Sequence, residues 1–219
     1  MSVIADLVEH CSCVVDVGCD HGLLCLHLLE SEKVERCIAC DISLDCLKKV
    51  PDISNIDKRL GDGLQVISLD EDVDYIVIAG MGGITICEIL QNYFDRIVAS
   101  GKSINNLKFV LSPQSHVDRV RHLLLSYGIN IERDFVLHDY KFYDIILAKV
   151  NIQLVPNSAT NASKTHLEYG MYFDEYNEDF VARLKHTLQQ YTKALNNSKD
   201  DTELQYKISK IKDVLKWQK

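Results

Sequence analysis

The sequence predicts an α/β protein: a Rossmann-like, mostly parallel sheet with an antiparallel last strand, followed by a C-terminal helical hairpin. Three observations carry this reading. Short apolar runs alternate with stretches of helical spacing as far as Val150, which is the signature of βαβ units. The last two apolar runs have no helix between them, so the final pair is antiparallel. Beyond the polar stretch 156–165, apolar residues recur at steps of four and three in two blocks, the spacing of two packed helices.

In chain order, Val14–Val17 reads as a buried strand ending in a Gly-containing loop, and Leu23–Leu29 as the helix after it. Cys37–Asp41 is a second strand, with Ser43 placed to cap a helix carrying Leu44 and Leu47. Ile56–Leu60 is a third strand, leading into Gly61-Asp62-Gly63. Tyr75–Ala79 is a fourth, continuous and apolar, and Ile84–Phe94 is a helix. Leu107–Leu111 is a fifth strand, and the helix Val117–Tyr127 stops at Gly128. Ile129–Leu137 and Lys141–Val150 are the closing pair of strands. Five alternating units plus a terminal hairpin is the arrangement of Rossmann-like methyltransferases.

Residues 1–155 are thus expected to form one domain, 156–165 a polar linker and 166–219 the helical hairpin. Leu184, Leu188, Tyr191 and Leu195 line one helix, and Leu204, Ile208, Ile211 and Leu215 the other, with the turn at Asn196–Asp201. Each stripe spans barely two heptads, too short to be secure alone. A chain ending near Val155 should keep the sheet.

The 219 residues carry a net charge of −8, which excludes a uniformly basic nucleic-acid binder. The charge is uneven. Residues 1–163 hold 14 Lys/Arg against 23 Asp/Glu, while residues 164–219 hold 10 against 9, with five lysines after Glu203. No apolar stretch is long enough to span a membrane, and the N-terminus lacks a basic leader, so a cytoplasmic protein is expected. Seven of the eight cysteines precede residue 47. Cys37 and Cys40 have a metal-type spacing, but a strand sends them to opposite faces and no second pair completes a tetrahedral site. Small buried thiols and no metal are the expectation.

The chemistry lies in the loops after the strands. Asp16-Val17-Gly18-Cys19-Asp20-His21-Gly22 places Asp20 where a dinucleotide loop keeps its second glycine. A carboxylate there repels a pyrophosphate and suits a cationic ligand such as S-adenosylmethionine (SAM), with its sulfonium and ammonium groups. The alternative is that Asp20 and His21 only cap the next helix. Asp41 closes the second strand, where an acid accepts hydrogen bonds from ribose hydroxyls. Gly61-Asp62-Gly63 offers a short acid for an adenine amino group; the alternative is an ordinary Asp-Gly turn. Ala79-Gly80-Met81-Gly82-Gly83 follows the fourth strand, over the position of a transferable methyl group. Its glycines leave room for a flat base, or serve only tight strand–helix packing.

Three strings carry a family resemblance: Asp16–Leu24 (DVGCDHGLL), Gly61–Leu64 (GDGL) and Ile78–Gly83 (IAGMGG). In this order and spacing the chain, over residues 3–150, resembles the bacterial tRNA (adenine-22-N1)-methyltransferase family. The resemblance implies SAM as cofactor and tRNA as substrate, with methylation at N1 of adenosine 22. It implies cofactor contacts at Asp16, Gly18, Asp20, His21, Gly22, Asp41, Ile42, Gly61, Asp62, Gly63, Ala79, Gly80 and Met81. Substrate contacts fall at Gly82, Gly83, Pro113, Gln114 and Tyr143, with Asp20 as the catalytic candidate and a monomer or weak dimer as the assembly. The chain departs from the family pattern at Cys25, where Pro is usual, and at Ser112-Pro113-Gln114, where Gln-Pro-Asn is usual. His138-Asp139-Tyr140-Lys141-Phe142-Tyr143 stands where the pattern reads Glu-Asp-Gly-Lys-x-Tyr. Two other readings stay open: a SAM enzyme acting on a small molecule or another RNA, and a non-catalytic RNA-binding protein that kept the fold.

Overall fold

The computed structural model describes residues 2–104, 106–151, 153–158, 161–198 and 201–218. Ala159 and Thr160 of the expected linker, Lys199 and Asp200 of the expected interhelical turn, and Lys219 lie outside the described residues. The elements run α1 (Ser2–Asp6), β1 (Cys11–Val17), α2 (Leu23–Glu30), β2 (Val34–Asp41), α3 (Leu44–Leu47) and β3 (Ile56–Leu60). A short 3-10 turn (Gly63–Val66) precedes β4 (Tyr75–Ala79), α4 (Gly83–Ser100), β5 (Lys108–Ser112) and α5 (Val117–Ser126). Then come β6 (Asn130–His138), β7 (Phe142–Lys149), α6 (Lys164–Tyr169), α7 (Glu178–Asn197) and α8 (Thr202–Trp217).

One seven-stranded sheet has the order β3-β2-β1-β4-β5-β7-β6. Pairings from β3 through β5 are parallel, while β7 runs antiparallel to both β5 and β6. The expected fold class is the one observed. The strand order reverses direction between β1 and β4, which opens a crevice at their carboxyl ends.

Both faces are covered, and the strands read as continuous apolar runs for that reason. Val15, Val17, Ile76, Ile78, Phe109 and Leu111 point to the face covered by α4 and α5. Their neighbours Val14, Tyr75, Val77 and Val110 point to the other face, under α1 to α3. Cys40 belongs to the first cluster and Cys37 to the second, the opposite-face placement expected from their spacing. On the first face Phe94 packs edge-on against Phe109, with ring centroids 5.6 Å apart, and against Tyr127 at 5.0 Å. Each such buried side chain stabilises the fold by roughly 1.5–3 kcal/mol.

The C-terminal helices are docked on the antiparallel end. α7 and α8 pack together. Leu184, Ile208, Ile211 and Val214 are buried, and Leu188, Tyr191 and Leu215 partly so. Val136 of β6 and Phe142 of β7 join this cluster, so the short stripes gain from the sheet what they lack in length. A buried ion pair reinforces the joint. Arg121 Nε and Nη2 donate to the two carboxylate oxygens of Asp134 at 2.8 and 3.0 Å, with both side chains 1% exposed. Arg121 Nη1 donates to the Leu167 carbonyl at 2.8 Å, and the Met171 N–H donates to Asp134 Oδ2 at 2.7 Å. α6 begins inside the expected linker, where the Ser163 hydroxyl accepts from the His166 N–H and so caps the helix.

Candidate active site

A cavity of about 320 Å³ opens at the carboxyl ends of β1, β4 and β5. Of the residues singled out in the sequence it brings together Asp16, Gly18, Asp20, Ala79, Gly80, Gln114 and Tyr143. Sequence reasoning missed its other walls. Val3 and Ile4 of α1 close one side, Leu24, Leu137 and Ile145 add apolar surface, and Cys19, Ser112 and Asp139 complete the lining. A five-residue helix has too little pattern to be read, but Asp139 sits in a string already singled out in the sequence as a departure from the family pattern.

The loop after β1 is fixed by its backbone. The Gly18 and Cys19 N–H groups both donate to the Cys40 carbonyl, at 2.8 and 3.0 Å. Gly18 has φ of +74°, a left-handed conformation that favours glycine, and a Cβ there would push aside the Met81 methyl 2.2 Å away. Asp20 also adopts a left-handed conformation, with φ of +50°, one that Asp tolerates better than most residues. The N-cap of α2 is Gly22, with no side-chain capping bond. The Asp20 carboxylate is therefore not the helix cap; it lies 2.9 Å from His21 Nδ1 at the cavity edge.

Asp16 is 6% exposed and faces the cavity. Burial pushes its carboxyl up to about 7, opposed by a hydrogen bond from the Cys25 thiol, 3.8 Å from Oδ2; the nearby charge of Asp41 raises it further. Such a carboxyl gains most from a positive charge placed beside it.

A second group of predicted residues lies along the sheet edge outside the cavity. Asp41 Oδ2 accepts from the Asp20 N–H at 3.1 Å, and Oδ1 accepts from the Ser43 N–H at 2.8 Å. The acid thus holds the first loop in place while keeping free lone pairs. Ser43 does cap α3, accepting from the Cys46 N–H. Ile42 beside Asp41 is 74% exposed. The Gly61 N–H donates to the Asp41 carbonyl at 3.0 Å, which sets Gly61-Asp62-Gly63 next in line. His21, Gly22, Met81, Gly82, Gly83 and Pro113 are likewise not cavity walls. Met81 instead packs on Gly18. A Cβ on Gly83 would lie 2.2 Å from the Ser115 carbonyl oxygen, so this glycine serves the packing of α4 against the loop after β5. Pro113 is buried.

A buried acid in an apolar cavity at the sheet's switch point, continuing into an acid-and-glycine edge, gives an α/β fold whose site is suited to a nucleoside-like, positively charged ligand. The chain belongs to the methyltransferase-domain family, whose model matches residues 1–146. It is 26% identical over 225 residues to the tRNA (adenine(22)-N(1))-methyltransferase of Bacillus subtilis strain 168, covering 97% of this chain and 91% of that one. A solved structure from Streptococcus agalactiae, described as a protein of the NADB-Rossmann superfamily, superposes with a TM-score of 0.81 at 27% identity, covering 98% of this chain and 95% of that one. M. capricolum TrmK, solved with the cofactor product S-adenosyl-homocysteine, has the same fold, with a TM-score of 0.79 at 23% identity over 100% of this chain and 97% of that one. Among the described residues no helix is long and apolar enough to cross a membrane.

Proposed function

We propose that this chain methylates N1 of adenosine 22 in tRNA with SAM as methyl donor, acting in the cytoplasm as a monomer or weak dimer. The observation that carries this reading is the buried Asp16 carboxyl facing the cavity beside Asp20, on a chain similar along nearly its whole length to an enzyme of that name. The residues present fit the cofactor. Asp16 and Asp20 match a cationic amino-acid end, Asp41 has lone pairs for ribose hydroxyls, and the Ile42 and Gly61–Gly63 edge offers a flat, partly apolar shelf for adenine. Bound there, SAM supplies an electrophilic methyl group on a sulfonium.

The protein's part is positioning. Adenine N1 carries an in-plane lone pair and is neutral at pH 7, so no general base is needed. The base must leave its stack, at a cost of about a few kcal/mol, because N1 lies on its pairing edge. Gly80, without a side chain, and Gln114 and Tyr143 border the space it would enter. The apolar walls Leu24, Leu137 and Ile145 exclude water. Methylation leaves the ring cationic, and the Asp20 carboxylate at the cavity edge stabilises that charge or holds the N6 amine.

Incubation with SAM and unmodified tRNA, followed by mapping of the methylated base, tests the reading. N1-methyladenosine at position 22 is expected, with turnover cut about a hundredfold in Asp20→Asn if that carboxylate faces developing charge. Methylation of small amines in preference to tRNA would replace this reading with a small-molecule one. Absence of SAM binding would leave a non-catalytic RNA-binding role.

A further inference from the structure

Tyr140 plays no part in the reading above. It is 92% exposed, the most exposed of the large apolar side chains described. It stands in the turn between β6 and β7, next to Asp139 and three residues before Tyr143, both of which line the cavity. Tyr140 does not line it; its ring is turned to solvent beside these two residues in the chain. Its turn reaches the lip of the site through Asp139.

The turn that carries it is held on several sides. Leu137 pairs with Tyr143 and His138 with Phe142 across the ladder. The Asp139 N–H donates to the Lys141 carbonyl at 3.1 Å. From α7, Asp179 Oδ2 accepts from the His138 N–H at 2.9 Å. The His138 and Phe142 rings lie 4.5 Å apart, and Phe142 is packed against the C-terminal cluster. The backbone that carries the ring is thus held, and a tyrosine side chain has only two torsions to fix when something stacks on it. Lys141 adds a cation to the same lip, with its Nζ 5.1 Å from the Tyr143 ring centroid. A free aromatic face beside a lysine is the chemistry that takes a nucleobase and its phosphate.

We propose that Tyr140 stacks on a nucleobase flanking the target adenosine and so holds the strand at the cavity mouth. This rests on the tRNA reading above. It makes Tyr140 a substrate-positioning residue with no part in holding the methyl donor.

The test compares wild type, Tyr140→Ala and Tyr140→Phe at saturating SAM and one fixed salt concentration, with unmodified tRNA as the varied substrate. One lost base stack of about 1–3 kcal/mol corresponds to a KM for tRNA raised by roughly 5- to 160-fold in Tyr140→Ala. The Phe variant keeps the stacking face and should stay within about twofold of wild type. SAM affinity by calorimetry and the melting temperature should be unchanged, because the ring neither lines the cavity nor packs in the core. The dependence of KM on salt should keep the wild-type slope, since no phosphate contact is removed. A Tyr140→Ala enzyme matching wild type in KM overturns the proposal, as does a fall in kcat with KM unmoved. In either case wild-type methylation of tRNA leaves the parent reading intact. A wild-type enzyme inactive on tRNA overturns both.

Discussion

The loops over the β1–β2–β3 end of the sheet and the joint at its β7–β6 end are held by different means. At the β1–β2–β3 end, main-chain groups set the geometry. The Gly18 and Cys19 N–H groups share the Cys40 carbonyl, Asp20 leans on the Asp41 carboxylate, and Gly61 leans on the Asp41 carbonyl. At the β7–β6 end, side chains do the joining: the Arg121–Asp134 pair, the Arg183–Asp144 pair at 2.6 Å and the apolar cluster around Phe180. The first arrangement leaves polar groups facing a cavity, ready for a ligand. The second consumes its polar groups internally and leaves surface for a partner.

The comparison breaks hardest at Arg121. Arg121→Ala leaves Asp134 buried and uncompensated, which should lower stability by about 3–5 kcal/mol in urea denaturation. SAM affinity of the remaining folded protein should be unchanged, because Arg121 is not part of the cavity. Replacing both partners with Met and Leu should recover most of the loss. An affinity that falls with the single variant would mean the two ends are coupled.

Asp41→Ala is the counterpart at the other end. It removes acceptors for two backbone N–H groups and the expected ribose contact. SAM binding should weaken by about 1–3 kcal/mol by calorimetry, and an unaltered affinity would remove Asp41 from the site.

Asp16 sharpens the contrast through pH. Burial pushes its carboxyl up to about 7, well above the ordinary aspartate range. An acid that ionises less readily when folded weakens the fold as pH rises from about 4 to 7, and Asp16→Asn should abolish that part of the loss. A cationic ligand group favours the ionised form. SAM affinity should therefore climb by up to about tenfold per pH unit below 7 and level off above it. A titration series showing no such climb, or an equal one in Asp16→Asn, would mean that no positive charge meets this carboxyl.

The smallest effect is expected on α8. The Lys207 Nζ is 2.5 Å from Glu203 and the Lys216 Nζ 2.7 Å from Asp213, so two of the five C-terminal lysines already have acidic partners. Lys207→Ala should leave stability almost unchanged, because the pair is solvent-exposed, and change tRNA affinity no more than one phosphate contact allows. A chain ending near Val155 would show whether the helices hold RNA at all. It would also expose Val136 and take the Leu167 carbonyl and Met171 N–H from the Arg121–Asp134 pair.

The loops at the strand ends were legible in the sequence and the joint was not, for a physical reason. Asp16, Gly18, Asp41 and Gly80 sit at the ends of continuous apolar strands, where Asp and Gly punctuate the pattern. Arg121 lies in a helix, where an arginine reads as a solvent-facing residue; its partner comes from another strand, and no local period links them. β2 starts at Val34 rather than Cys37 because the charged Glu35 and Arg36 hide its first turns of pleat. α4 runs on past Phe94 to Ser100 because Asp95 and Arg96 interrupt the apolar count, although Ile97 is buried. The cavity wall formed by Val3 and Ile4 had no periodicity to announce it.

The cysteines give each face of the sheet its own chemical clock. Burial pushes the thiols of Cys13 and Cys40 up to about 11 and 12 on one face, and a hydrogen bond with Cys37 together with burial pushes that of Cys25 up on the other. In the native state they are neither reachable nor ionised, so an alkylating reagent waits for the structure to open. The order in which they become modified would report which layer of helices lifts first, with no label added to the chain.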